Sequence, residues 1–350
     1  MIISIVSFLL VVTIMVFIHE WGHFAAARFF KVKVETFAIG FGKSLWSRKD
    51  QQGTLWTVNL LPLGGYVKLF GDAGPASNQD LDKISNLSEE EKSQTFYHKK
   101  LWQKAIIVFA GPLMNYVLAI VVGFFLLSYY GEVILSTKIS AVTEASPAAK
   151  AGLQQGDEII ALDGKPLDNL FELKKILSEK MEGPVTLTYK RNDQEKTVSV
   201  VLDKGKLGIM GQEERINYNL ITSFEKAVIK VWQINQMIFE GIKLLLSGQG
   251  SKEDLGGPIK IAQITGMAFE AGLEVFLQLL ILLSINLGLI NLLPIPGLDG
   301  GHLLFYLIEG LSGRPLKPEL QNIGIKIGFF IVIGLLIFVT INDLLFYVKK

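Results

Sequence analysis

The chain has 350 residues, 50% of them hydrophobic and only 19% charged, with a mean hydropathy of +0.39. A soluble domain usually carries about 25% charged residues, so this composition excludes a purely soluble protein and, with so little charge, a disordered one. The 34 Lys and Arg against 33 Asp and Glu leave a net charge of +1, which gives no electrostatic reason to expect a nucleic-acid partner. No cysteine is present, which removes disulfides, thiolate zinc sites, iron–sulfur clusters and a cysteine nucleophile together. Any metal must be held by Asp, Glu and the four histidines. At about 150 residues per domain, the length suggests two to three units.

Four stretches are long and apolar enough to cross a bilayer, which takes about 20 residues. The first, residues 1–30, is uncharged from Ile2 to Ile18. It lacks a basic leader and carries His19, Glu20 and His23 where a cleavage site would fall, so it reads as a membrane helix and not a signal peptide. Residues 31–104 read as a cytoplasmic region. Within it Leu55–Phe70 is apolar with β character, and Pro62, Gly64 and Gly65 exclude an ordinary helix. Taken by itself, that segment reads as a cytoplasmic hairpin lying on the membrane. Gly71–Gln94, with the run Glu89-Glu90-Glu91, reads as a mobile polar loop whose acidic run is solvated. The second span, residues 105–130, follows the basic cluster Lys99, Lys100 and Lys104.

Residues 133–211 form a soluble module, with strands expected at Ile139–Val142, Val185–Tyr189 and Thr197–Leu202 and a helix at Asn169–Lys180. The blocks Ser146–Leu153, Gly156–Ile160 and Asp163-Gly164 resemble a bacterial PDZ domain in order and type. Lys206–Ile209 matches the carboxylate-loop strand of its circularly permuted versions. A PDZ domain binds an extended peptide or chain end by adding it to a sheet edge; the plainer alternative is a spacer. Residues 212–270 read as an amphipathic helix and connector. Glu225, Lys226, Lys230, Glu240 and Lys243 interrupt the apolar stretch at Phe224–Leu246, which suits a membrane surface. Residues 271–299 make the third span, 300–322 a cytoplasmic loop and 323–348 the fourth span.

Short-loop positive charge sets the orientation. Arg28, Lys31, Lys33, Lys43, Arg48, Lys49, Lys99, Lys100, Lys104, Arg314 and Lys317 all fall in the cytoplasm if the N-terminus faces outward. The pair Lys349-Lys350 then falls outside, against the rule. The same topology puts the 133–211 module outside the cell.

His19-Glu20-Trp21-Gly22-His23 carries the chemistry. Helix positions four apart share a face, so both imidazoles reach one metal, and Glu20 sits where it takes a proton from metal-bound water. Ionisable groups inside a span are costly and mark function. A hydrolytic zinc takes three protein ligands. The block Asn291–His302 (NLLPIPGLDGGH) at the end of the third stretch offers Asp299 or His302 as the third, with Asp299 preferred. A glutamate on a downstream helix is the rival third ligand, and a non-catalytic membrane scaffold the rival function.

The HExxH of the first span, the NxxPxPxLDG of a later one and a PDZ between spans resemble the site-two protease family of intramembrane metalloproteases, over essentially the whole chain. The resemblance implies a polytopic α-helical membrane protein with four transmembrane helices, a re-entrant β-loop and an inserted α+β PDZ domain. It implies Zn2+ held by His19, His23 and Asp299, with Glu20 catalytic and Asn291 helping to hold substrate. Ala110–Asn115 (AGPLMN) resembles the family's GPxxN motif and suggests a second substrate contact at Asn115; a helix-stabilising contact is the alternative for either asparagine. Gly64 and Gly65 belong to the segment that resembles the family's re-entrant loop, whose exposed edge would capture an unwound substrate. The implied substrate is a single-span membrane protein, such as an anti-sigma factor, or a signal-peptide remnant, cut near the cytoplasmic face of a bacterial inner membrane. The chain has room for one PDZ, where the best-known member has two in tandem.

Overall fold

The computed structural model describes residues 2–71, 87–167, 169–180, 183–203, 205–248 and 256–348. Most of the expected polar loop, 72–86, and the basic pair Lys349-Lys350 lie outside the described residues. The chain divides into two compact units, one formed by residues 1–126 with 220–350 and the other by 127–219.

The first unit is built on four helices of sufficient length and apolarity to span a membrane: α1 (Ile2–Phe29), α3 (Leu101–Tyr129), α8 (Leu273–Leu292) and Glu319–Leu345 within α10 (Pro318–Val348). Val11 and Met15 of α1 bury against Phe276 and Leu280 of α8. Ser284 of α8 donates to the backbone oxygen of Asn115 in α3 at 3.0 Å. A second cluster joins Phe24 and Ala27 of α1 to Ile107 and Val108 of α3 and to two strands, β1 (Val34–Lys49) and β2 (Leu55–Leu69).

Only Leu55–Phe70 read as β from sequence, whereas the structure pairs it with Val34–Lys49. The β1 strand serves twice. Val34–Ile39 is registered with Gly65–Leu69, its Thr36–Ile39 part also with Leu55–Val58, and Ser44–Lys49 with Leu55–Asn59. Gly65–Leu69 therefore has a strand partner on one side only among the described pairings. The turn between the strands is tied to the end of α1 by Asp50, which pairs with Arg28 and accepts from Trp56 Nε1 (3.0 Å), Gln52 N (2.9 Å) and Thr54 N (3.0 Å). Partial burial opposes ionisation of this carboxyl, but the Trp56 and Arg28 bonds and the backbone N–H groups outweigh it and hold it at about 2.

Three expectations about connecting segments need correction. The acidic run at Glu89–Glu91 is not loop but the first turn of a short helix, α2 (Glu89–Ser93), closed by a capping box with Ser88; carboxylates there complement the helix dipole. The connector after the amphipathic helix α6 (Leu220–Leu246) holds a second helix, α7 (Pro258–Glu270), with proline in its first turn. Asp343 of α10 accepts from Gly257 N at 3.0 Å and Lys260 N at 2.9 Å, so it caps α7. Residues 300–322 are not a loop either, since α9 runs Asp299–Ser312. The glycines at 300 and 301 mask a helix whose Leu303 and Tyr306 pack onto the α1/α3 cluster.

The second unit is a six-stranded sheet in the order β7-β6-β4-β3-β8, with β5 (Lys165–Pro166) beside β4. Its strands are β3 (Glu132–Val142), β4 (Glu158–Leu162), β6 (Gly183–Arg191), β7 (Gln194–Leu202) and β8 (Ile209–Ile216), with helices α4 (Pro147–Lys150) and α5 (Leu170–Glu179). The strands are longer than read from sequence. The β6–β7 hairpin turns through Asn192 and Asp193, both at positive φ (52° and 61°), the geometry a two-residue turn requires. Ile139, Ile159, Leu162, Leu187 and Val200 fill the core, with Leu173 and Leu177 of α5 covering it.

Asp157, 1% exposed, is held by Arg191 Nε (2.6 Å) and Nη2 (2.7 Å) and by Gln154 N (2.8 Å). Burial opposes its ionisation, but those bonds prevail and hold its carboxyl below the ordinary value. A lowered pKa contributes stability above the unfolded value, about 3.9, and loses it as pH falls below. Asp157→Asn should therefore cost about 1.5–3 kcal/mol at pH 7. In denaturant melts of the sheet unit followed within the full chain, the gap between variant and wild type should narrow below about pH 4. A gap unchanged at pH 3 would show that the ion pair is not its source.

Candidate metal centre

The α1 helix sets His19 and His23 one turn apart, and their Nε2 atoms lie 3.2 Å from each other. Asp299, the first residue of α9, closes on them after the turn Leu293–Leu298. Its Oδ2 is 3.1 Å from His19 Nε2 and its Oδ1 3.5 Å from His23 Nε2. One ligand atom from each residue lies within 4.8 Å of the others, and among the described residues no other such group occurs. Gly300 lets α9 start there, because a Cβ at that position would sit 2.2 Å from the Leu293 oxygen.

A cavity of about 250 Å³ opens at this cluster, lined by His19, Glu20, His23, Asn291, Asp299 and His302 and, on the strand side, by Gly65, Tyr66 and Val67. Glu20 is outside the three-residue group, and its carboxylate accepts from the backbone N–H of Val67. Gly65 passes so close that a Cβ there would lie 3.2 Å from Glu20 Cγ. Thus the outer side of the Gly65–Leu69 segment faces the site.

The structure brings together His19, Glu20, His23, Asp299, Asn291 and Gly65 from the sequence reading. His302 lines the cavity but does not join the group of His19, His23 and Asp299. Gly64 is not among the lining residues; it turns the chain at φ +127°, against the Phe41 ring. Asn115, expected to touch substrate, is 0% exposed and lies behind His19, with Nδ2 3.1 Å from His19 Nδ1. A side chain enclosed between α1, α3 and α8 has the ring to bond and no open cavity to reach.

Sequence reasoning missed two supports on α3. The Ile107 carbonyl oxygen lies 2.9 Å from His23 Nδ1. Gly111 passes directly behind the same ring, where a Cβ would be 2.2 Å from Nε2. The signal was a glycine beside Pro112 within an apolar helix, which marks a close backbone approach in a membrane bundle.

The donor set fits a divalent cation. With its Nδ1–H given to the Ile107 carbonyl, a neutral His23 presents a lone pair at Nε2. It then faces His19 Nε2 and a carboxylate whose Oδ2 is buried with no hydrogen-bond donor. Acceptors turned on one another are stabilised by a metal between them, and two imidazoles with a carboxylate suit zinc.

The model of Peptidase family M50 matches residues 7–335. The chain belongs to peptidase family M50. A protein of Agrobacterium fabrum, whose name assigns it provisionally to the zinc metalloproteases, is 36% identical over 97% of this chain and 95% of its own length. Metalloprotease MmpA of Caulobacter vibrioides is 32% identical over 98% and 95%. Zinc metalloprotease RasP of Shouchella clausii is 30% identical over 97% and 98%. Among solved structures, the PDZ domain of the SdrC-like protein of Listeria monocytogenes is 26% identical over 21% of this chain and 85% of that one, with a TM-score of 0.20. As a family M50 member the chain is a zinc metalloprotease of the site-2 protease type, a metalloendopeptidase with several membrane-spanning helices.

Proposed function

We propose that the chain is an intramembrane endopeptidase that cuts single-span membrane proteins, with His19, His23 and Asp299 as the zinc ligands and Glu20 as the general base. The observation that carries this reading is the convergence of three groups of metal-ligand type, His19 Nε2, His23 Nε2 and the Asp299 carboxylate, beside a cavity that also holds Glu20. When bound there, zinc supplies an activated water and polarises the scissile carbonyl. Glu20 takes the water's proton on its carboxylate and returns it to the leaving amine. The Val67 N–H donates to that carboxylate and steadies its position.

A transmembrane substrate hides its peptide bonds within a helix, so it must unwind before it is cut. Gly65–Leu69, paired on one side only, offers the freed backbone a strand to join. Asn291, at the end of α8 and on the cavity wall, holds the strand from the opposite direction. In this reading β1 and β2 form the re-entrant element at the cytoplasmic face of a bacterial inner membrane, and the basic residues flanking the site end of α1 support that side. The 127–219 unit lies outside as a PDZ domain. Its groove between β8 and α5, lined by Leu173, Leu177, Lys206, Ile209 and Met210, receives an extended peptide or chain end. An anti-sigma factor or a signal-peptide remnant is the substrate class.

The test uses detergent-purified full chain and a single-span substrate, with and without a chelator. Wild type should carry one zinc per chain and cleave, and the chelator should stop it. Asp299→Ala should lower zinc affinity about 10-fold or more, with loss of cleavage. Zinc and activity both retained in Asp299→Ala would overturn this ligand set in favour of a glutamate from another helix.

A further inference from the structure

Asn115 stands behind His19 with one polar atom unexplained. Its amide turns Nδ2 toward His19 Nδ1 at 3.1 Å and leaves Oδ1 buried with no hydrogen-bond partner. Read that way, Asn115 donates to His19 Nδ1, and a neutral His19 would carry its proton on Nε2. That nitrogen is the one facing Asp299 and His23 Nε2, so it would have no lone pair for a metal. The other histidine is set the opposite way, since His23 Nδ1–H has only the Ile107 carbonyl, an obligate acceptor, at 2.9 Å. Exchanging the two amide atoms of Asn115 leaves the shape of the side chain unchanged and removes the conflict. The oxygen then accepts the His19 Nδ1–H and no longer lies idle. Both Nε2 atoms now present lone pairs to the same point.

We infer that Asn115 is the positioning residue of His19: its side-chain oxygen accepts the Nδ1–H, fixing the tautomer and ring orientation in which Nε2 ligates zinc. This rests on the proposed role of His19 as a ligand. The environment suits the task. Asn115 is fully buried, and Ser284 of α8 bonds its backbone oxygen at 3.0 Å. Pro112 one turn earlier gives α3 no N–H for the Val108 carbonyl, so cross-helix bonds hold the segment in register. Neutral histidine ligands commonly need such a partner on the second nitrogen, and losing it typically costs 10–100-fold in metal affinity.

The test measures zinc affinity of the purified full chain by competition with a chromophoric chelator, independently of proteolysis. Asn115→Leu keeps the volume but accepts nothing, and its affinity should fall about 10–100-fold. Asn115→Asp is the informative variant, because a carboxylate accepts and never donates. It should stay within a few-fold of wild type. An Asp variant as weak as the Leu variant, or a Leu variant as tight as wild type, would overturn the inference. If the Leu variant fails to fold, the Asp variant decides alone. A parallel His19→Ala separates the two claims. Zinc affinity unchanged in that variant would overturn the ligand reading and this inference with it, whereas the Asn115 outcomes bear on the positioning role only.

Discussion

Glu20→Gln is expected to slow cleavage by about 10²–10⁴-fold, the usual share of general acid–base catalysis, while zinc remains at one per chain. The two readouts separate because Glu20 lies on the cavity wall but outside the group of His19, His23 and Asp299 proposed to hold the metal. Glutamine has the same length and volume, and its amide oxygen still accepts from Val67 N–H. It also keeps the Cγ that lies close to Gly65. The change therefore removes basicity and little else. Single-turnover cleavage of a single-span substrate measures the rate, and elemental analysis the metal. Full activity in Glu20→Gln would end the proposed mechanism, and loss of zinc would give Glu20 a part in metal binding.

Gly111→Ala should be nearly as damaging, although Gly111 touches neither the substrate cavity nor the outside of the protein. In a helix interior, alanine is normally preferred over glycine by about 0.5–1 kcal/mol, so propensity alone predicts a gain. Sterics predict the reverse. The new Cβ would stand 2.2 Å from His23 Nε2 and 2.4 Å from Cε1. The ring cannot slide away without giving up its 2.9 Å bond to the Ile107 carbonyl. Overpacking of this kind usually costs about 1–3 kcal/mol, and a displaced ligand about 10–100-fold in zinc affinity. Gly123→Ala on the same helix is the control, because its Cβ would meet Ala227 Cβ at an ordinary 3.5 Å. Chelator competition should weaken only for Gly111→Ala, and thermal melts without metal should show the same order. Equal zinc binding by the two variants would mean that the α3 backbone is not the wall holding His23.

Features that depend on neighbours along the chain were legible without a structure. The apolar runs of α1, α3, α8 and α10 announce spans because bilayer thickness demands a length of uninterrupted apolar residues. His19 and His23 announce a shared ligand face because the helical repeat brings positions four apart together. The strands and α5 of the second unit show in their alternation and their Asn169 cap for the same reason. A helix starting at Asp299 was hidden, since Gly300 and Gly301 imitate a loop unless the backbone they must approach is known. The partnership of Val34–Lys49 with Leu55–Leu69 was hidden too, because a strand that bends and pairs twice has no regular period to read.

At the centre itself, sequence alone determined which residue types were present and that His19, Glu20 and His23 share one helix. It left Asp299 and His302 as competing candidates. Tertiary structure groups the Asp299 carboxylate with the two histidines, 3.1 Å from His19 Nε2, and leaves His302 outside that group, and it sets Asn115 behind the His19 ring and not on the cavity wall. Gly111 and the Ile107 carbonyl acquire a role only through the approach of α3 to α1. Helical repeat and apolar length are local properties, written into consecutive residues. Which atoms of distant segments meet is decided by packing of the whole bundle, where each contact is weak and only their sum selects one arrangement.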